Sequence, residues 1–186
     1  MPLSCDLKDI AQAASGCEEQ FAGLGTQICV AYPEDLEATP SYNENSASFS
    51  STSFTFKTGK GAWKFRIKKQ TGQITSTGNE GAKGWNVQLL FTIDKDVENA
   101  SQVLRILKNR GDAIFFAENP SEPGTYYVVY DPVFGTEINS NYDSGTTPDS
   151  DSGHSVTVTS NPNRYPLCTW TGTLTMATEA AADAEG

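Results

Sequence analysis

The chain has 186 residues, 37% hydrophobic and 19% charged, which fits one domain able to bury about 70% of its unfolded surface. Thirteen basic against twenty-three acidic side chains leave a net charge of −10, which excludes a tight grip on nucleic acid, because phosphate binding needs a basic face to release counterions. No run approaches the roughly eighteen apolar residues of a membrane-spanning helix, and the opening MPLSCDLKDI lacks the apolar core of a secretory signal.

A cytosol-like, reducing site of synthesis is therefore expected. Cys5, Cys17, Cys29 and Cys168 are widely spread without a C-x-x-C, and His154 is the only histidine. Reduced thiols and no zinc site follow. Leu3-Ser4-Cys5 has the form of a lipoprotein cleavage box but lacks a preceding hydrophobic region. Asn99-Ala100-Ser101 is a glycosylation sequon, moot without secretion.

In chain order, DLKDIAQAA (6–14) sets Leu7, Ile10, Ala11 and Ala14 on one helical face, with Gly16 as a stop. The reading is an N-terminal arm over residues 1–25 holding this short helix. TQICVAY (26–32) reads as the first strand, and PEDLEATPSYNENSAS as a polar connection. From Ser50 the pattern is β: Phe54 and Phe56 share one side of TSFTFK, and Trp63, Phe65 and Ile67 alternate with Lys64, Arg66 and Lys68. The second face is basic, as a solvated surface or as a contact to an acidic neighbour.

GNEGAKG (78–84) lacks the spacing of a dinucleotide or phosphate loop and reads as a hairpin or loop. WNVQLLFTI follows as the strongest strand, with Trp85, Val87, Leu89, Phe91 and Ile93 on one face. DKDVENASQVLRILKNRG then gives one helix, capped by Asp94 or Asp96, striped by Val97, Ala100, Leu104 and Leu107, and stopped at Gly111. Lys108 and Arg110 suit the negative end of its dipole. AIFFAE and TYYVVYD read as strands joined by the turn NPSEPG.

Residues 135–153 are nearly free of aliphatic side chains and read as a long polar loop. SVTVTS and LCTWTGTLTM close the domain as strands; Cys168, Trp170, Leu174 and Met176 share a face of the last, where Cys168 acts as a small hydrophobe. The tail, residues 177–186, has nothing left to bury. The fold class is thus mainly β (α+β): two packed antiparallel sheets, as a sandwich or small barrel, flanked by one helix.

The stretch TPDSDSGHSV (147–156) carries the densest chemistry. His154 would need a serine, Ser152 or Ser155, held rigidly beside it to make a nucleophile, and a polar loop offers no such frame. Asp149-x-Asp151-x-Gly153 begins like a calcium loop, but the sixth position is His154 and the twelfth Ser160, so the register fails. No catalytic, cofactor-binding or metal residue is assigned, and contact rather than reaction is the expected role.

The succession KFRIKKQTGQITSTGNEGAKGWNVQLLFTIDKD, LRILKNRGDAIFFAENPSEPGTYYVVYDPVFG, SGTTPDSDSGHSVTVTS and YPLCTWTG resembles the major tail tube proteins of long-tailed bacteriophages and related prophage particles. The similarity runs from about Lys57 to Thr175, through the strand–helix–strand order, the YYVVYD arm and the threonine-rich last strand. It implies a tail-tube-like β domain over residues 26–176 and a structural, non-enzymatic virion protein, made in the bacterial host cytoplasm. Its hexameric rings would stack into a hollow tube, alongside other phage tail proteins and without a membrane. Arms and loops would bridge subunits, and double-stranded DNA would pass through the lumen during ejection without specific binding.

On that reading the bore is lined by Asp, Glu and neutral polar residues, while Lys64, Arg66 and Lys68 lie on an intersubunit or outer surface. Two alternatives stand beside it. One is another ring-forming tail component, a tail terminator or tube-like baseplate protein. The other is a β-sandwich carbohydrate-binding module, whose Tyr126, Tyr130 and Trp63 should then cluster in a groove.

Overall fold

The runs ICVA, AIFFA and VVY place apolar residues on both faces, the pattern of strands buried on two sides. In the computed structural model, which describes residues 23–43, 48–94, 99–146 and 152–177, two of these runs form β1 (Gln27–Ala31) and β7 (Ile114–Glu118), and the third ends β8 (Thr125–Val129). With β2 (Tyr42–Asn43), β3 (Ser48–Phe49), β4 (Trp63–Arg66) and β11 (Cys168–Thr171) they build a seven-stranded sheet ordered β2-β3-β11-β8-β7-β1-β4. A second, antiparallel sheet is ordered β5 (Gln73–Gly78), β6 (Trp85–Asp94), β10 (Gly153–Asn163), β9 (Glu137–Asp143). Among the described residues the fold is a mainly β sandwich with one α-helix, α1 (Ala100–Arg110), and no barrel closes.

Two cores result, because successive side chains of a strand point to opposite faces. Phe115 and Val30 enter the core between the sheets, with Leu89, Phe91 and Val158 opposite and Leu104 of α1 alongside. Phe116 and Ala31 enter a second core on the other face of the larger sheet, filled by Phe49, Phe54, Phe56 and Trp170. Its cover comes largely from residues 33–43 and 48–57, in a stretch expected to be a polar connection and a strand. Phe54 sits in a turn, and Phe56 makes only an isolated bridge to Leu36. Serines cause this: Ser53 Oγ donates to Ser41 O at 2.9 Å while its N–H reaches Ser50 O at 2.9 Å, so local bonds replace a ladder.

Three other expectations are corrected. Asp94 does not cap the helix; it ends β6 opposite Gly153, and α1 begins later, after Asn99 at φ 63°. Asp96 and Val97 lie outside the described residues, whereas Gly111 stops the helix as expected, donating to Leu107 O at 3.0 Å. Residues 135–153 are not one long loop, because β9 occupies residues 137–143 and β10 starts at Gly153. As an edge strand, β9 buries little beyond Ile138, and it therefore shows no apolar alternation. Finally, β4 does not bury its whole apolar face: Ile67 is buried just past it, but Trp63 is 44% exposed.

The 79–84 hairpin forms as expected, with Asn79 N–H on Gly84 O at 3.1 Å. Beyond β11 the chain returns to the start of β4, where Ala62 N–H meets Thr175 O and Ala177 N–H meets Ala62 O, both at 2.9 Å. The arm helix read at 6–14, Cys5, Cys17 and the tail from Thr178 lie outside the described residues.

Candidate assembly and channel surface

Strand register sorts the outer face of the four-stranded sheet into rows. Gln73, Leu90, Thr157 and Asn139 form one row; Thr75, Gln88, Thr159 and Glu137 form the next. Thr92, Ser155 and Asn141 make a third, and Asp94, Gly153 and Asp143 a fourth. None of these residues is a lysine or arginine. Lys108 of α1 reaches the margin at Asn139 Oδ1, 2.7 Å away, with the Glu137 carboxylate at 3.9 Å beside it.

Both edges of this sheet are open among the described residues. Thr92 uses its backbone toward β5: its N–H donates to Thr71 Oγ1 at 3.1 Å, and its carbonyl accepts from Lys68 N–H at 2.8 Å. Backbone direction alternates along a strand, so Gln73, Thr75 and Thr77 bond inward to β6 while Ile74 and Ser76 direct their N–H and C=O outward. Carried through the register, the same alternation directs Ile138, Ser140 and Tyr142 outward from β9. The four strands alternate in direction, and a second copy's β9 laid beside β5 would continue that antiparallel order.

Two basic residues lie on the edge of the other sheet. Lys64 and Arg66 lie on the edge strand β4, on the face opposite Trp63 and Phe65. Inside that edge, α1 and β4 flank a groove of about 540 Å³ whose walls include Trp63, Phe65, Val103 and Ile106. Arg110 closes one end, stacked 3.7 Å from the Tyr32 ring centroid and ion-paired with Glu34.

His154 lies in a strand, not a loop. It faces inward on β10, nearly buried, with its ring 4.8 Å from that of Tyr142. Ser155 points to the opposite face. The partner is instead Ser101, in the first turn of α1, whose Oγ is 3.1 Å from Nε2. This bond ties the helix start to β10, a pairing no local motif could reveal, since 53 positions separate the two residues. Asp149 and Asp151 lie outside the described residues. No group of three or more metal-ligating side chains occurs among the described ones.

Cys29 and Cys168 are free and buried. Burial pushes the Cys168 thiol from 9.0 up to about 12; the Tyr42 hydroxyl opposes the shift and Asp131 adds to it. A raised folded value favours the neutral thiol, so this stability is complete below pH 9 and lost as pH rises toward 12. Tyr130, also raised by burial to about 12, reinforces the fall. Thermal melts should show Tm steady from pH 7 to 9 and dropping above it. Cys168→Ala should soften that drop, and an unchanged slope would contradict the assignment.

The aromatics of the carbohydrate reading are dispersed. Tyr130 is 3% exposed, Tyr126 packs on Trp170 with centroids 5.8 Å apart, and Trp63 lines the α1–β4 groove. No family model, curated protein or solved structure matches this chain.

Proposed function

We propose that this chain is a structural subunit of a phage-type tail tube, closing into rings that stack around a DNA-conducting bore. The observation that carries the reading is the pairing of a sheet face whose strand rows hold no lysine or arginine with two open edges on the same sheet. A head-to-tail contact joins different surfaces of two copies, so β5 against β9 gives a ring where its rotation closes, and not a two-fold dimer. Ring closure also protects edges that would otherwise recruit strands at random. The strand rows of the face that continues from copy to copy are neutral or acidic, so DNA phosphates over them meet lysines only at the margins, Lys108 beside β9 and Lys68 beside Thr92.

The reading is non-catalytic: the hydrogen bond between buried His154 and exposed Ser101 ties a helix to a sheet. The ring contact is testable with Ser76→Cys and Ser140→Cys in one chain, Cys5 and Cys17 being changed to Ser. A short bifunctional thiol reagent should give a ladder that stops at the hexamer. Either substitution alone should give none, and an absent ladder in the double variant would refute the β5–β9 joint.

A further inference from the structure

The groove between α1 and β4 has a specific shape and polarity. Its floor, including Val30, Ile93 and Leu107, belongs to the core between the sheets, while Trp63 and Ile106 on its walls are 44% and 47% exposed. Lys64 and Arg66 border it at β4, with their side chains on the strand's other face. We propose that in the dispersed subunit this groove holds the chain's own residues 6–14.

Two observations select that occupant. The segment is read as an amphipathic helix with Leu7, Ile10, Ala11 and Ala14 on one face, and the small alanines allow close approach. Nine helical residues span about 13 Å, matching the roughly 16 Å of the eleven-residue α1 that forms one wall.

The tether also reaches. The described chain resumes at Gly23, and Leu24 packs against the same core cluster that floors the groove. Residues 15–22 span up to about 26–29 Å when extended, longer than the groove itself. So short a tether gives an effective concentration in the millimolar range, favouring the chain's own segment over a neighbour's in dilute solution. The C-terminal segment fits less well, because extending the Ala62–Met176 register would set Glu179 beside Phe65 on the apolar wall. Held there, residues 6–14 cover the groove until assembly, a role that rests on the tube reading.

The test joins Ile10→Cys to Ile106→Cys in a full-length chain with Cys5 and Cys17 changed to Ser, oxidised at low concentration. The expected product is a disulfide within one chain, migrating as a compact monomer; no bond, or a bond only between chains, overturns the proposal. A second readout compares the whole protein with a chain starting at Gly23 and with Ile10→Asp. Both changes should shift Trp63 emission to the red and raise binding of an apolar dye several-fold, with circular dichroism of the sheets unchanged. Fluorescence that stays the same in both would also overturn it. Lost tubes with the intrachain bond intact would count against the tube alone, whereas tubes without the bond would count against the docked segment alone.

Discussion

Ser140→Pro should abolish tube formation while leaving a folded, soluble subunit. The Ser140 N–H points away from β10 at an exposed edge, so proline removes no bond within the subunit, and prolines are tolerated where a strand's N–H faces solvent. In the ring the same N–H would meet β5 of the next copy, and its loss together with the bulk of the pyrrolidine blocks pairing. Ser76→Pro on β5 should act alike from the other side of the joint. Asn139→Pro is the contrast: its N–H bonds inward to Thr157, so it should lower Tm. Sedimentation and melting of the three variants separate the outcomes, and tubes formed by Ser140→Pro would remove β9 from the contact.

Trp170→Ala should produce the largest loss of subunit stability, about 3–5 kcal/mol. Trp170 is 3% exposed and meets Phe54 and Phe116 at centroid distances of 5.3 and 6.1 Å. Its indole N–H also donates to Ser51 O at 3.3 Å, tying β11 to the turn that covers the second core. Truncation leaves a cavity that these neighbours cannot fill and frees the turn. For a domain of this size each kcal/mol moves Tm by about 2–4 °C, so a fall of roughly 6–20 °C is expected. Trp170→Phe, which keeps ring packing but loses the hydrogen bond, should fall much less. A shift under a few degrees for the alanine variant would mean the second core carries little of the fold.

The elements readable from sequence were those whose burial imposes a period. In β6, Val87, Leu89, Phe91 and Ile93 are each at most 4% exposed, so alternation was plain and the strand was found at nearly its full length. β9 was missed because an edge strand covered on one face only near Ile138 needs no apolar repeat. The second core was missed for a different reason: Phe49, Phe54 and Phe56 come from turns and short bridges, which have no period. Of the candidate surface, the acidic balance was visible in composition, and the basic character of Lys64 and Arg66 in alternation. That the strand rows of the outer face of the four-stranded sheet hold no lysine or arginine emerges only from cross-strand register, which joins residues as distant as Gln73 and Asn139 in one row.

The most direct test is electron microscopy of the purified protein at rising concentration. Uniform hollow rods built of stacked hexameric rings, with Thr157 and Gln88 on the inner wall, are the predicted result. A protein that stays monomeric at high concentration, or rods whose inner wall is formed by the β4 edge with Lys64 and Arg66, would contradict it.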